Sequence, residues 1–226
     1  MAFSDLSPLS GLANLQELSV WNTNVSDLSP LSGLANLQKL VAWDTHVTNL
    51  TPLSGLANLQ ELNVLRTRVT DLSPLSSLAH LKKLNVSHTL VTDLSPLSGL
   101  ANLKKLDVSR TLVTDLSPLL ELINNDLPVL WSSDFLKEDL GIFVLDCPWT
   151  NPPAEIVKQG NTAILNFFQE TAIQKQIVFT KPRCSLLAKA GQAKPVYCGG
   201  YIKPRYHCRM RKRPPRASIF TGTSSS

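Results

Sequence analysis

Histidine and cysteine are the side chains best suited to ligate a metal or attack a substrate, and the chain carries four of each. His46, His80 and His88 have no carboxylate or cysteine at the spacing that a triad or a ligand set needs, so residues 1–175 show no catalytic constellation. Toward the C-terminus Cys184, Cys198 and His207 follow at spacings of 14 and 9, with Cys208 adjacent. They contain no C-x-x-C pair, and neighbouring His-Cys is poor geometry for one ion, so no zinc site is expected. No catalytic, cofactor-binding or metal-ligating residue is expected, and the chain reads as a non-enzyme. The chemistry left is recognition: Trp21 and Trp43 beside Arg66 and Arg68 are the residue types that dominate binding hot spots.

What places those residues is a 22-residue phrase, D-L-S-P-L-S-G-L-A-N-L-Q-x-L-x-V-x-x-T-x-V-[ST], beginning at Asp5, Asp27, Asn49, Asp71, Asp93 and Asp115. A sequence that repeats at fixed period repeats its structure. The alternation in Leu18-Ser19-Val20, Leu62-Asn63-Val64, Leu84-Asn85-Val86 and Leu106-Asp107-Val108 predicts a short strand per unit with one face inward. On the return arm Ser or Thr precedes Pro8, Pro30, Pro52, Pro74 and Pro96. That order predicts a Ser/Thr N-cap and a turn or two of 3₁₀- or α-helix. Thr23, Thr45, Thr67, Thr89 and Thr111 are expected to bond backbone groups of neighbouring coils. Burying five or six leucine-class side chains per unit, at roughly 1.5–3 kcal/mol each, outweighs chain entropy only when units stack.

The spacing in Leu15-Leu18-Val20-Thr23 resembles the leucine-rich repeat. That resemblance implies an α/β, right-handed solenoid of about six coils over residues 1–147, with its strands on a concave, partner-binding face. Just past the strands, positions recurring once per unit are Trp21, Trp43, Leu65, Ser87 and Ser109. Beside them run Asn22, Asp44, Arg66, His88 and Arg110, then Asn24, His46, Arg68, Leu90 and Leu112. The candidate partner-binding set is Trp21, Asn22, Trp43, Asp44, Leu65, Arg66, Arg68, His88 and Arg110; the alternative is that these are ordinary solvated positions. Met1 enters the pattern in mid-repeat with no cap before it, so either an exposed edge or a start inside a longer ancestral gene is expected.

The overall charge of +5 conceals a step. Residues 1–175 hold 11 Lys/Arg and all 17 Asp/Glu, whereas residues 176–226 hold the other 11 Lys/Arg and no acid. That basic stretch, with Tyr201 and Tyr206 among its arginines, is expected to be disordered and to attract nucleic acid only non-specifically. No apolar run approaches the roughly 20 residues of a membrane span, and no secretory signal is visible, so a cytoplasmic, membrane-free protein is expected.

After Leu122 the phrase breaks into an irregular excursion through Trp131 to Asp139, and Gly141-Ile142-Phe143-Val144-Leu145 reads as a final strand. The segment Leu145-Asp146-Cys147-Pro148-Trp149-Thr150-Asn151-Pro152-Pro153-Ala154-Glu155-Ile156-Val157-Lys158-Gln159-Gly160 resembles the phrase that closes the repeats of bacterial Roco-type signalling proteins, with Cys147 and Trp149 as its departures. It reads as a helical cap over residues 148–175, with Ile156 and Val157 covering the last coil and a second helix from Asn161 to Gln169. In that family a GTPase domain follows with a G-x-x-x-x-G-K-[ST] phosphate loop. Here Leu187 to Pro195 supplies Lys194, but Ala188 and Ala193 stand for the glycines and Pro195 for the hydroxyl residue, so GTP is not expected to bind.

A shift of reading frame accounts for the step. Read in the minus-one frame, codons permitted by Phe179 to Cys198 and by Arg213 to Thr221 can encode a phosphate loop followed by a threonine-bearing switch. The expectation is a frame change near Thr171–Gln176 and an out-of-frame tail over residues 176–226. The chain thus reads as the protein-binding part of a truncated Roco-like protein. The alternatives are an internalin-like adhesion protein, since internalins also use 22-residue repeats, and a nucleic-acid binder acting through the tail. The lack of a secretory signal and the Roco-like closing phrase weigh against the adhesion protein.

Overall fold

A computed structural model describes residues 3–132, 135 and 138–180, with side chains as far as Gln174. Cys184, Cys198, His207, Cys208, the Leu187–Pro195 stretch and the basic segment from Lys181 onward lie outside the described residues. Five short strands come first: β1 (Glu17–Ser19), β2 (Lys39–Val41), β3 (Glu61–Asn63), β4 (Lys83–Asn85) and β5 (Lys105–Asp107). Helix α1 (Leu120–Asn124), β6 (Val129–Leu130), β7 (Gly141–Phe143), α2 (Ala154–Val157) and α3 (Asn161–Thr180) follow. All strands pair in parallel in one sheet of order β1-β2-β3-β4-β5-β7-β6.

From β1 to β5 the register advances by 22 residues per strand: Leu18, Leu40, Leu62, Leu84 and Leu106 are aligned partners. Identical positions therefore form columns. In the coil from Asp27, Leu28, Leu31, Leu34 and Leu37 of the return arm, Leu40 of β2 and Ala42 beyond it are all buried, and the next coils repeat the set. The first coil differs. Leu12 is 48 % exposed where Leu34, Leu56 and Leu78 are at 0 %, because no described residues pack on that side of it.

The return-arm turns are single 3₁₀ turns such as Ser29–Leu31, and the expected Ser/Thr side-chain cap is not what holds them. Leu28 occupies the N-cap with no side-chain bond; instead the Ser29 N–H donates to Asp27 Oδ1 at 2.8 Å. The same bond joins Ser7 to Asp5, Thr51 to Asn49, Ser73 to Asp71, Ser95 to Asp93 and Ser117 to Asp115. The Asx side chain two residues back thus satisfies the first orphan donor, while proline forfeits no bond in the first turn. Hydrogen bonding from the Ser29 hydroxyl, then from its backbone N–H, holds the Asp27 carboxyl below its usual range.

The threonine column also works locally, not between coils. Thr45 Oγ1 donates to Ala42 O at 2.7 Å, and Thr67, Thr89 and Thr111 donate to Val64, Val86 and Val108 O at 2.6–2.7 Å, each three residues back in its own coil. Their hydroxyls close the turn after the strand and satisfy the buried carbonyl there, which at Val108 also accepts from the Cys147 thiol.

The last coil is longer. Lys105 aligns with Gly141, 36 residues on. The added chain includes β6, a strand the sequence reading did not contain, which pairs along the outer edge of β7. The closing phrase from Leu145 to Gly160 then continues the column pattern: Asp115 forms a bridge to Asn151, and Cys147 lies beside Thr111. Trp149 fills a buried site and donates from Nε1 to Val144 O at 2.9 Å, taking the carbonyl that the column would give to a threonine hydroxyl. The Cys147 thiol turns to Val108 O of the preceding coil instead, at 3.0 Å. Val157 and Ile164 close the core, with Ile156 partly buried against it. The second cap helix starts at Asn161 as expected but runs to Thr180, well past Gln169.

Candidate recognition surface

Trp21 and Trp43 are stacked, with ring centroids 5.0 Å apart and planes 7° from parallel. The sheet register imposes this arrangement. Strand neighbours lie about 4.8 Å apart, so like residues one coil apart meet face to face. Trp21 is 50 % exposed, Trp43 and Leu65 are half-buried, and the outer face of Trp21 has no coil against it. The column ends there, because Ser87 and Ser109 are buried rather than solvent-facing as expected.

The chain between β6 and β7 lies over this end of the sheet, where Ser109 Oγ donates to Ser132 O at 3.5 Å. Phe135, from the chain between β6 and β7, packs edge-on against Phe143 at 5.4 Å and lies under the Lys105 ammonium at 4.3 Å. Asn85, Ser87, Lys105, Asp107 and Ser109 are all buried in this region. Asp107 Oδ1 accepts from the Ser109 N–H at 2.9 Å, and Asn85 Oδ1 accepts from Ser87 N and Oγ. Burial pushes the Asp107 carboxyl up and the Lys105 ammonium down, the directions expected when charges leave water. The sheet is therefore open over its first coils and covered near β5 and β7. Phe135 and the extra length before β7 were the sequence signals for this, and neither was read as a cover.

Next to the tryptophans, Asn22, Asp44, Arg66, His88, Arg110 and Asp146 share one backbone state, with φ between 53° and 57°. Each of the first five donates its N–H to a carbonyl of the next coil, as Arg66 does to Ser87 O at 3.0 Å. The position therefore has a structural duty that the sequence reading missed. Asn and Asp tolerate the left-handed region, whereas a larger L-residue held there costs about 1–2 kcal/mol. Arg66 and Arg110 bear that cost, while His, like Asn and Asp, is enriched in this region.

The charged members of this column divide into paired and unpaired. Arg110 Nε donates to Asp146 Oδ2 at 3.1 Å. Arg66 and Arg68 have no carboxylate within 4 Å among the described residues. They line a depression of about 340 Å³ together with Asn24, Asp44 and His46, one coil or two away. On the strands themselves Glu61 sits between Lys83, at 2.7 Å, and Lys39, at 3.7 Å. Burial alone would raise the Glu61 carboxyl, but the two lysines outweigh it and hold it below its usual range. The structure thus brings Trp21, Trp43, Leu65, Asp44, Arg66 and Arg68 to one end of the solenoid, while His88 and Arg110 belong to a separate paired cluster toward Asp146.

Among the described residues no group of three or more His, Cys, Asp or Glu could hold a metal ion, and no helix is long and apolar enough to cross a membrane. What the surface offers is an ordered aromatic step beside free guanidinium groups, which suits recognition.

Residues 35–77 and 79–121 match a family model described as leucine-rich repeats in two copies. No curated protein matches the sequence. Among solved structures, internalin C2 of Listeria monocytogenes is 30 % identical with a TM-score of 0.52, over 64 % of this chain and 57 % of that one. A second internalin of the same organism is 26 % identical with a TM-score of 0.55, over 66 % of this chain and 46 % of that one. A leucine-rich-repeat protein of Leptospira interrogans shares the fold at 24 % identity, with a TM-score of 0.50 over 54 % of this chain and 32 % of that one. The chain spans about half the length of the two internalins it matches.

Proposed function

We propose that this bacterial-type leucine-rich-repeat chain is a protein-interaction module that takes its partner on the rim formed by Trp21, Trp43, Leu65, Arg66 and Arg68. The stacked tryptophan pair carries the reading. Two large rings already held parallel lose little freedom on binding, and an aromatic step flanked by arginine is the composition of a hot spot. Asn22 and Asp44 set turns of this rim, and His88 and Arg110 continue the same column toward the cap as a paired cluster with Asp146. The module is proposed to be the recognition part of a Roco-like signalling protein, without GTPase activity of its own, working in the cytoplasm. Support for that origin is the closing phrase from Leu145 to Gly160 and the acid-free stretch after Gln176.

The test of binding is affinity capture by the full chain against the Trp21→Ala/Trp43→Ala variant, at equal folded concentration. Retention of every captured protein by the variant would reject this rim as the binding surface. The test of origin is the coding DNA: stop codons or no phosphate loop in the minus-one frame across Thr171–Thr221 would end it.

The likeness to two Listeria internalins favours a second reading, a recognition protein displayed outside the cell. Cell fractionation separates the two, since only the second places the chain in a surface or secreted fraction.

A further inference from the structure

We propose that the depression between His46, Arg66 and Arg68 holds the carboxylate of an acidic side chain on an extended peptide segment, an assignment that rests on reading this rim as a protein-binding surface. Three cationic or proton-accepting groups converge there from two adjacent coils, about 4.8 Å apart. The Arg66 and Arg68 guanidinium groups have no carboxylate within 4 Å among the described residues, although Arg110, in the same column as Arg66, is matched by Asp146. Their forks are therefore free for a carboxylate, which planar guanidinium groups bind bidentately. The backbone N–H groups of His46, Arg66 and Arg68 already donate to Val25, Ser87 and Val47 O, so the side chains are not needed to complete the coil.

Asp44 refines the choice. It lines the same depression and would repel a dianion such as phosphate, but it can accept a hydrogen bond from a donor next to a single negative charge. A peptide amide beside a Glu or Asp side chain supplies that pair. A volume of about 340 Å³ is enough for one side chain with its adjoining peptide groups. The Trp21–Trp43 step lies on the first and second coils, the second of which also carries His46, so an apolar residue flanking the acid would reach it.

The experiment is NMR titration of the full chain with acetyl-Gly-Glu-Gly amide, followed on the histidine ring resonances. A saturating shift is expected at His46 and none at His80, which lies outside the depression. The Gln analogue and inorganic phosphate should each bind at least ten-fold more weakly. Arg66→Gln with Arg68→Gln should lower peptide affinity at least ten-fold, with circular dichroism and an unchanged thermal midpoint reporting that the fold is kept. If the double variant does not fold, Arg68→Gln alone should lower affinity at least three-fold. Parallel, non-saturating shifts at His46 and His80 would overturn the assignment, as would Gln peptide or phosphate binding as well as the Glu peptide. Loss of this site with continued dependence of capture on Trp21 and Trp43 would reject the acid anchor and leave the binding rim standing.

Discussion

The Arg110 guanidinium donates from Nη1 to Nε2 of His88 at 3.2 Å, and because arginine can only donate, the imidazole must be neutral to receive it. Burial first, then the charges of Arg110 and Arg66, hold His88 below its ordinary value of 6.5.

Stability should therefore depend on pH through this residue. The folded chain binds fewer protons at His88 than the unfolded chain does once pH falls below 6.5, so stability present above that value is lost on acidification. Urea denaturation at a series of pH values should show a steeper loss below 6.5 for the wild type than for His88→Asn. An identical pH slope in the two proteins would remove His88 from the account.

Relief of the left-handed backbone is the second expectation. Arg66 sits at φ 55°, where the same column elsewhere carries Asn22 and Asp44. Arg66→Asn should raise unfolding free energy by about 1 kcal/mol. Arg68→Asn, at a position without positive φ, should give no such gain. If the acid anchor is correct, the stabilised Arg66 variant binds the Glu peptide less well.

Leu12 and Leu78 occupy the same place in two coils, yet one is 48 % exposed and the other fully buried. Leu78→Ala should cost about 2–5 kcal/mol, the range for cavities in packed cores. Leu12→Ala should cost under about 1 kcal/mol, since most of that side chain gains no burial. Equal losses by thermal or urea unfolding would mean that the first coil is covered in solution.

Asn161 ties the cap to the excursion: its Oδ1 accepts from the Val129 N–H at 2.8 Å, and its Nδ2 donates to Leu127 O at 2.9 Å. Asn161→Ala leaves both backbone groups without this partner and should cost about 1–3 kcal/mol. Hydrogen exchange at the Val129 amide should accelerate in the variant; unchanged protection there would refute the tie.

Much of this was legible in the sequence because the repeat fixes register. Once Leu18, Leu40 and Leu62 are aligned, the strands, the buried leucines and the contact between Trp21 and Trp43 follow from geometry. Two local details escaped. The 3₁₀ turns are capped by Asp27 and its equivalents rather than by the serine, because the Asx carboxylate reaches the first free N–H. The threonines bond within their own coil, because a carbonyl three residues back is the nearest unsatisfied acceptor. The covering of Ser87, Lys105 and Ser109 could not be read from the phrase, since it depends on where a non-repeating segment places Phe135.

The cap fastens itself by short reach. Cys147 bonds Val108, Trp149 bonds Val144, Asn151 bonds Asp115 and Asn161 bonds Leu127, so none of these ties extends earlier than the fifth strand's own coil. The described residues between Lys105 and Ile164 therefore form a portable terminator. Adding or removing one whole 22-residue unit before β4 would change the length of the solenoid without altering how it is closed. A lineage carrying this terminator can lengthen or shorten its recognition surface by recombination alone, with no compensating change at the sealed end.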